Sequence, residues 1–252
     1  MQVRDTDKDW NELAKQDAYW AVLSHPRFAH AEKHPHALKE FFQSGEAWVD
    51  GVVSTIKAKL DPAFSPEAAL DFGCGVGRLL LPMARYCPKV VGIDIADKMR
   101  ELCTENLTAR GVKDFVLLKT TGELREKNLW FDWINSFIVF QHIPPSKALP
   151  LLNDMLGRLR MGGKVSLHFT FAKDDRMLEW SMRQLHYYRM SEDTLQVLSE
   201  KPAVEQAVQS VYDHDLNFVM MSLIRFGVTQ LFLTHEDHGG QHGFMIYGMK
   251  TR

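Results

Sequence analysis

The stretch over residues 69–84 constrains the fold more strongly than any other part of the 252-residue chain. A short apolar run ends at Asp71 and gives way, after a turn, to an apolar helical pattern. Glycines alternate in the turn at Gly73, Gly75 and Gly77. This order predicts a strand, a tight turn and a helix. Glycine tolerates positive φ and leaves the backbone bare, and the free N–H groups that open a helix favour a polar or anionic group, so a small ligand is expected here.

The spacing of these glycines differs from that of a dinucleotide-binding loop. The G-x-G-x-x-G type needs a third glycine where this chain has Arg78, and the loop reads D-x-G-x-G-x-G instead. A carboxylate at Asp71 suits a ligand that carries an ammonium group or another cation better than a pyrophosphate. A nicotinamide oxidoreductase with a degenerate loop is therefore the weaker alternative.

Strand and helix patterns alternate along the rest of the chain. Predicted strands cover 90–93, 115–118, 131–137 and 165–169, predicted helices cover 96–110, 144–160 and 216–226, and a final strand pair covers 228–234 and 244–249. Such alternation predicts a parallel, doubly wound sheet in one enzyme-sized α/β domain.

The D-x-G-x-G-x-G loop resembles the signature of class I S-adenosylmethionine-dependent methyltransferases. The resemblance covers residues 68–169 strongly and 216–250 in outline. It implies a Rossmann-like, mostly parallel seven-stranded sheet that ends with an antiparallel strand beside the fifth. It also implies S-adenosyl-L-methionine as the cofactor and methyl transfer as the activity, within a domain spanning residues 68–252.

Two flanking segments are expected to close over this sheet. Residues 1–67 form a predicted N-terminal helical cover, with helices over 9–23 and 47–60 and a turn at 42–45. Residues 172–215 form a predicted helical insert after the fifth strand, placed to roof the substrate site as a lid. A dimer contact or plain packing is an equally open interpretation of that insert.

The resemblance assigns cofactor-binding roles to residues around the glycine loop. Asp94, at the end of the second strand, is expected to accept hydrogen bonds from the ribose hydroxyls, with an exposed helix N-cap as the alternative role. A side chain at Gly75 is expected to block the ligand while the fold survives. The full set is Asp71, Gly73, Cys74, Gly75, Gly77, Asp94, Ile95, Met99, Gly122, Glu123 and Phe137.

Within this set the adenine contacts are the least defined. Ile95 and Met99 are expected to sandwich the base, with ordinary core packing as the alternative. The family's usual acidic residue after the third strand is not obvious, so Glu123, or the backbone of Thr121 and Gly122, is expected to bind the adenine amine.

The segment after the fourth strand is expected to meet the methyl acceptor. Methyl transfer is an in-line displacement, so positioning in a dry pocket supplies most of the acceleration. His142, titrating near neutrality, is the candidate general base for a hydroxyl, and the alternative is that it simply anchors the turn before Pro144. Residues 135–138 lack the Asn/Asp-Pro-Pro-aromatic motif of many nitrogen methyltransferases. The expected acceptor is a small aromatic or apolar molecule, methylated at a hydroxyl or another small nucleophile.

Charge and cysteine content bear on partners and compartment. The formal net charge is −2, and the charged residues are well mixed, so neither nucleic acid nor a membrane is an expected partner. The three cysteines form no C-x-x-C pair, which fits a reduced compartment. Without a signal peptide or a spanning apolar run, a cytoplasmic protein is expected.

A histidine-rich segment at 235–242 superficially resembles a metal site. A Gly-Gly turn between two strands sends alternate side chains to opposite faces, so a solvated hairpin tip is the expected structure and no metal is expected. Two further functions stay open, namely a cofactor-binding protein without transferase activity and a methyltransferase that acts on a protein. The sequence leaves the oligomeric state open.

Overall fold

The computed structural model describes residues 5–177, 187–191, 194–198, 207 and 209–252. The helices are α1 (Thr6–Val22), α2 (Pro35–Lys59), α3 (Leu80–Met83), α4 (Asp97–Ala109), α5 (Gly122–Glu126), α6 (Pro145–Leu156) and α7 (Leu216–Arg225). The strands are β1 (Ala68–Phe72), β2 (Lys89–Ile93), β3 (Phe115–Leu118), β4 (Phe131–Ser136), β5 (Leu159–Lys173), β6 (Tyr187–Ser191), β7 (Thr194–Leu198), β8 (Val228–Asp237) and β9 (Gln241–Lys250).

Seven strands form one mixed sheet in the order β3-β2-β1-β4-β5-β9-β8. Strands β1 to β5 pair in parallel, whereas β9 runs antiparallel to both β5 and β8. The predicted antiparallel strand beside the fifth is confirmed. All five residues of β1 are buried, as an apolar run in the middle of a parallel sheet requires. The glycine loop therefore leaves the centre of the sheet at its carboxyl edge.

Helices cover both faces of this sheet. Successive β1 residues point to opposite sides, so Ala69 packs in a core with α1, α2 and α4, whereas Leu70 packs in a second core with α6 and α7. The first core contains most of the N-terminal aromatic side chains, including Tyr19 and Phe41. The predicted N-terminal helices thus supply a large part of one face of the core.

The structure corrects two predicted segments. Helix α2 begins at Pro35 rather than at 47, and the predicted turn at 42–45 is helical. Proline at the first helical position favours this earlier start. The insert was predicted to be helical, but Tyr187–Ser191 pairs antiparallel with Thr194–Leu198. Tyr, Thr and Val favour strands, and this preference outweighs the helical spacing there. The rest of that prediction, on 178–186, 192–193, 199–206 and 208, lies outside the described residues.

No helix among the described residues is both long and apolar enough to cross a lipid bilayer.

Candidate functional site

The glycine loop has the backbone conformation that its sequence predicts. Gly73, Gly75 and Gly77 have φ values of 74°, 52° and 89°, in the left-handed region that favours glycine. A Cβ at Gly73 would also lie 2.3 Å from a methyl carbon of Val139. Glycine is therefore required there by the backbone and by the close approach of the turn that follows β4.

Asp94 fixes the glycine loop to the end of β2. Its Oδ2 accepts a hydrogen bond from the Gly75 N–H at 2.8 Å, and its Oδ1 accepts one from the Ala96 N–H at 2.9 Å. The N-cap of α4 is Ala96, and Asp94 is half-buried, so the alternative role of an exposed N-cap is wrong. Burial raises the pKa of Asp94, although these two hydrogen bonds oppose the rise. The carboxylate lies beside the loop, where a ribose-binding group is predicted.

Asp71 lies beneath the loop, where it is only 2% exposed. Its Oδ1 accepts a hydrogen bond from the Asn135 side chain at 2.8 Å, and Asn135 in turn accepts one from the Ser166 hydroxyl at 2.6 Å. Desolvation raises the pKa of Asp71 to about 7, against the lowering effects of Asn135 and the Arg78 charge. Asn135 has no local sequence signal for this role, because its partner Asp71 lies on the neighbouring strand.

Arg78, which excludes a dinucleotide loop by its position, has a structural role of its own. The side chain is 6% exposed, and its Nη1 donates to the Ser44 hydroxyl at 3.1 Å. A Cβ at Gly45 would lie 2.2 Å from the Arg78 carbonyl oxygen. Glycine in the middle of α2 thus lets that helix approach the backbone of the glycine loop, which is a contact that local sequence patterns do not reveal.

The residues predicted to contact adenine lie in different environments. Ile95 is half-buried, whereas Met99 is 1% exposed within the core. Gly122 is exposed, and Glu123 Oε1 accepts hydrogen bonds from the N–H groups of Lys119 and Thr120 at 2.8 and 3.1 Å. Glu123 therefore stabilises the turn after β3, and its second oxygen is the one left for a ligand.

Helix α1 lies directly on the glycine loop. A Cβ at Gly75 would lie 2.7 Å from Cγ2 of Val22, the last residue of α1. The side-chain amide of Asn106 donates both to the Tyr19 hydroxyl at 3.2 Å and to the Val76 carbonyl at 3.0 Å. These contacts connect α1, α4 and the loop. Asn106 is not predicted as a site residue, since a buried Asn in a helix gives no distinct local signal in the sequence.

His142 lies in the 3₁₀ turn after β4 and is 8% exposed. Its Nδ1 is 2.8 Å from the Ser210 carbonyl, which can only accept, so Nδ1 carries the proton. Its Nε2 lies 3.2 Å from the Gln141 amide nitrogen, and the Trp10 ring packs edge-on at 5.1 Å. Desolvation lowers the pKa of His142 to about 4, so the expected titration near neutrality is wrong.

This buried imidazole makes the protein sensitive to acid. Below pH 6.5 the unfolded His142 takes up a proton that the folded imidazole, with its pKa of about 4, does not. The free energy of unfolding should therefore fall as the pH drops from 6.5 towards 4. We expect His142→Phe to lose less stability over this range than the wild type in urea unfolding at several pH values. The exposed His36→Phe is the control, and equal losses in all three proteins would contradict the prediction.

Phe137 follows β4 and is half-buried among aromatic rings. Its centroid lies 4.3 Å from that of Trp48, 5.4 Å from His168 and 5.8 Å from His238. The turn from Phe137 to His142 lies at the carboxyl edge of the sheet. It carries an aromatic ring at Phe137 and an imidazole at His142. His168 is not predicted as a site residue, because in the sequence it is one position of an apolar strand.

The three histidines of residues 235–242 do not converge on one point. The His235 and His242 rings stack, with His235 Nε2 3.0 Å from His242 Nδ1, and His242 Nε2 lies 2.9 Å from Asp174. His238 instead packs against His168 on the other side of the turn, with ring centroids 5.1 Å apart. No group of three His, Cys, Asp or Glu side chains in the described ranges is arranged to hold a metal ion.

A surface cavity of about 620 Å³ lies far from these residues, between Trp130, Met161 and Arg225. Trp130 precedes β4 and Met161 belongs to the start of β5. This cavity is therefore at the amino edge of the parallel strands. Ligands of open α/β sheets bind at the opposite, carboxyl edge, where the glycine loop lies.

This chain is similar to known methyltransferases in both sequence and fold. Residues 69–163 match the family model of a methyltransferase domain. Magnesium protoporphyrin IX methyltransferase from Synechocystis PCC 6803, solved with bound SAM, has a TM-score of 0.57 and 16% identity over 99% of both chains. The chain therefore contains a methyltransferase domain, and its fold is that of the class I S-adenosylmethionine-dependent methyltransferases.

Other similar proteins are also methyltransferases, and the names of two of them indicate different acceptors. An S-adenosylmethionine-dependent methyltransferase from Clostridium acetobutylicum ATCC 824 has a TM-score of 0.58 and 11% identity, over 86% of this chain and 98% of that one. A ubiquinone biosynthesis O-methyltransferase from Rhizobium etli (strain CIAT 652) is 29% identical over 130 residues, which are 47% of this chain and 51% of the relative. An uncharacterized RNA methyltransferase from Chlamydia trachomatis serovar D is 27% identical over 90 residues, which are 36% of this chain and 22% of the relative. The chain thus spans about half of the Rhizobium relative and less than a quarter of the Chlamydia relative.

Proposed function

We propose that this chain transfers a methyl group from S-adenosylmethionine to a hydroxyl group of a small molecule. The observation that carries the proposal is the positive-φ glycine loop, which Asp94 fixes at the carboxyl edge of the sheet beside the aromatic turn at Phe137. The ribose would bind Asp94, and the adenine would lie beside Ile95 and the turn before Glu123. The methyl group would point towards Phe137.

Methyl transfer to a hydroxyl group fits a site beside the aromatic ring of Phe137. A hydroxyl oxygen attacks the methyl carbon, the carbon–sulfur bond breaks with its electrons left on sulfur, and the hydroxyl proton leaves. The sulfonium charge disappears in this step, so a weakly polar aromatic site does not oppose it. His142 is neutral and can take the proton, but with a pKa of about 4 it is a weak base, so positioning would supply most of the rate.

The N-terminal helices and the segment before α7 are proposed as the cover of this site. The Trp10 ring packs on His142, and the backbone N–H of Tyr212 donates to the Gln141 carbonyl at 2.7 Å. The Gln209 side-chain amide donates to the Ala21 carbonyl at 3.2 Å. Helix α1 and residues 209–212 therefore meet over the turn at 140–142. A site closed by these segments would favour a small acceptor over a protein.

An RNA acceptor is the second candidate, because the similar proteins include RNA methyltransferases. The formal net charge of −2 and mixed surface charge favour the small molecule, since RNA binding depends on neutralising phosphates. Incubation with methyl-labelled S-adenosylmethionine and separate small-molecule, protein and RNA fractions of a cell extract distinguishes the acceptors. Label in the small-molecule fraction is expected, and label in RNA or protein alone would refute this part of the proposal.

Calorimetry tests the cofactor and the alternative of a nicotinamide enzyme. S-adenosylhomocysteine is expected to bind with a 1:1 stoichiometry, and NAD is expected to give no measurable heat, because Arg78 stands where a dinucleotide loop has glycine. Tight NAD binding without a response to S-adenosylhomocysteine would overturn the proposal. Cofactor binding without labelled product in any fraction would instead favour a binding protein that transfers no methyl group.

A further inference from the structure

Two histidines beside Phe137 take no part in the proposed cofactor site. His168, on β5, has 0% exposed surface, yet neither of its ring nitrogens has a hydrogen-bond partner in the described part of the chain. His238, between β8 and β9, is half-buried, and its Nε2 is also buried without a partner among those residues. The two rings are nearly perpendicular, at 84°, with centroids 5.1 Å apart.

The position of His168 is built into the strand pairing. Gly243 on β9 lies beside it, and a Cβ there would be 2.7 Å from His168 Nε2. Glycine at this position leaves room for the imidazole between β5 and β9. Phe137 closes the other side, half-buried between Trp48 and the two imidazoles. Rotation of the Phe137 side chain would open a path from the methyl end of the cofactor site to both rings.

The chemistry of these groups defines what they can bind. A buried polar group without a hydrogen bond is unfavourable, and in folded proteins such groups usually have a partner or meet a ligand. Burial lowers the pKa of His168 to about 3 and lowers that of His238, so both rings are neutral at pH 7. Each neutral imidazole offers one N–H donor and one acceptor nitrogen. An uncharged hydroxyl group can satisfy either, whereas an ionised ligand would find no opposite charge on these rings.

We propose that His168 and His238 bind the methyl acceptor and that this acceptor is an uncharged aromatic ring that carries hydroxyl groups. The aromatic ring would pack on Phe137, and its hydroxyl groups would exchange hydrogen bonds with the two imidazoles. This inference rests on the proposed function and adds to it the acceptor class and the residues that recognise it.

Catechol, with its two adjacent hydroxyl groups, is the probe, added to protein saturated with S-adenosylhomocysteine. Affinities are measured by calorimetry for the wild type, His168→Leu and His238→Leu. The matched control is His235→Leu, an exposed histidine of the same hairpin. The second ligand is 1,2-dimethoxybenzene, which keeps the ring and has no hydroxyl donor. Affinity for S-adenosylhomocysteine and thermal unfolding show whether each variant folds. If the buried His168→Leu variant does not fold, the hairpin variant His238→Leu still tests the inference.

We expect the wild type to bind catechol and either imidazole substitution to weaken that binding about tenfold, as the loss of one hydrogen bond predicts. Dimethoxybenzene should bind the wild type less well than catechol, and His235→Leu should behave as the wild type. No catechol binding by the saturated wild type, or unchanged affinity in a folded His238→Leu protein, would overturn the inference and leave the proposed cofactor intact. Failure of the wild type to bind S-adenosylhomocysteine would overturn the proposed function itself, and this inference with it.

Discussion

Replacing Asp94 with alanine should weaken S-adenosylhomocysteine binding by roughly 2 to 3 kcal/mol, or about 30- to 150-fold, if two charge-assisted hydrogen bonds to the ribose are lost. The structure gives a second reason to expect weaker binding in this variant. The same carboxylate accepts hydrogen bonds from the N–H groups of Gly75 and Ala96, so its loss also frees the glycine loop from β2. Calorimetry with the folded variant measures the combined effect.

Two further variants make this prediction specific. Asp94→Asn keeps one acceptor oxygen for a backbone N–H and loses the charge, so an intermediate affinity is expected. Asp97→Ala removes a neighbouring carboxylate that is 62% exposed and pairs with Arg100 at the surface. Exposed ion pairs contribute little, so this control should bind with nearly wild-type affinity. Unchanged affinity in a folded Asp94→Ala protein would refute the ribose assignment.

Replacing Gly75 with alanine should destabilise the protein by roughly 2 to 5 kcal/mol. A left-handed conformation costs a non-glycine residue about 1 to 2 kcal/mol, and forcing a methyl group into a packed interface costs about 1 to 3 kcal/mol. Gly75 has a φ of 52°, and its added Cβ would lie 2.7 Å from Val22. The expectation that a side chain here blocks only the ligand is therefore revised, because α1 also packs on this backbone.

A double-mutant cycle separates the two causes. Val22→Ala removes the methyl groups that the new Cβ would meet, so Gly75→Ala/Val22→Ala should recover the packing part of the loss and retain the backbone part. Urea unfolding of the wild type, both single variants and the double variant gives the coupling energy. Additive losses would show that α1 does not rest on the loop in solution.

The glycine loop and its flanking strands are determined by local sequence. The buried run of β1, the alternating glycines and the apolar strands β2 to β5 are features of single segments, and period and turn chemistry are properties of neighbouring residues. For the same reason, the sequence alone predicted that Asp94 lies at the end of β2, the next strand after the glycine loop. The start of α2 was misplaced because Gly45 has the local signature of a turn, whereas Arg78, which accounts for it, is distant in sequence.

The chemical environment of the site was decided by tertiary structure alone. His142 looked like a neutral-range base, but contact with Trp10 and the Ser210 carbonyl buries it and lowers its pKa to about 4. His168 looked like one residue of an apolar strand until the pairing of β5 with β9 brought the turn at His238 against it. Sequence alone determined which strands and turns form, because backbone conformation responds to near neighbours. Tertiary structure decided which imidazoles are buried together, because desolvation depends on residues that only long-range packing brings into contact.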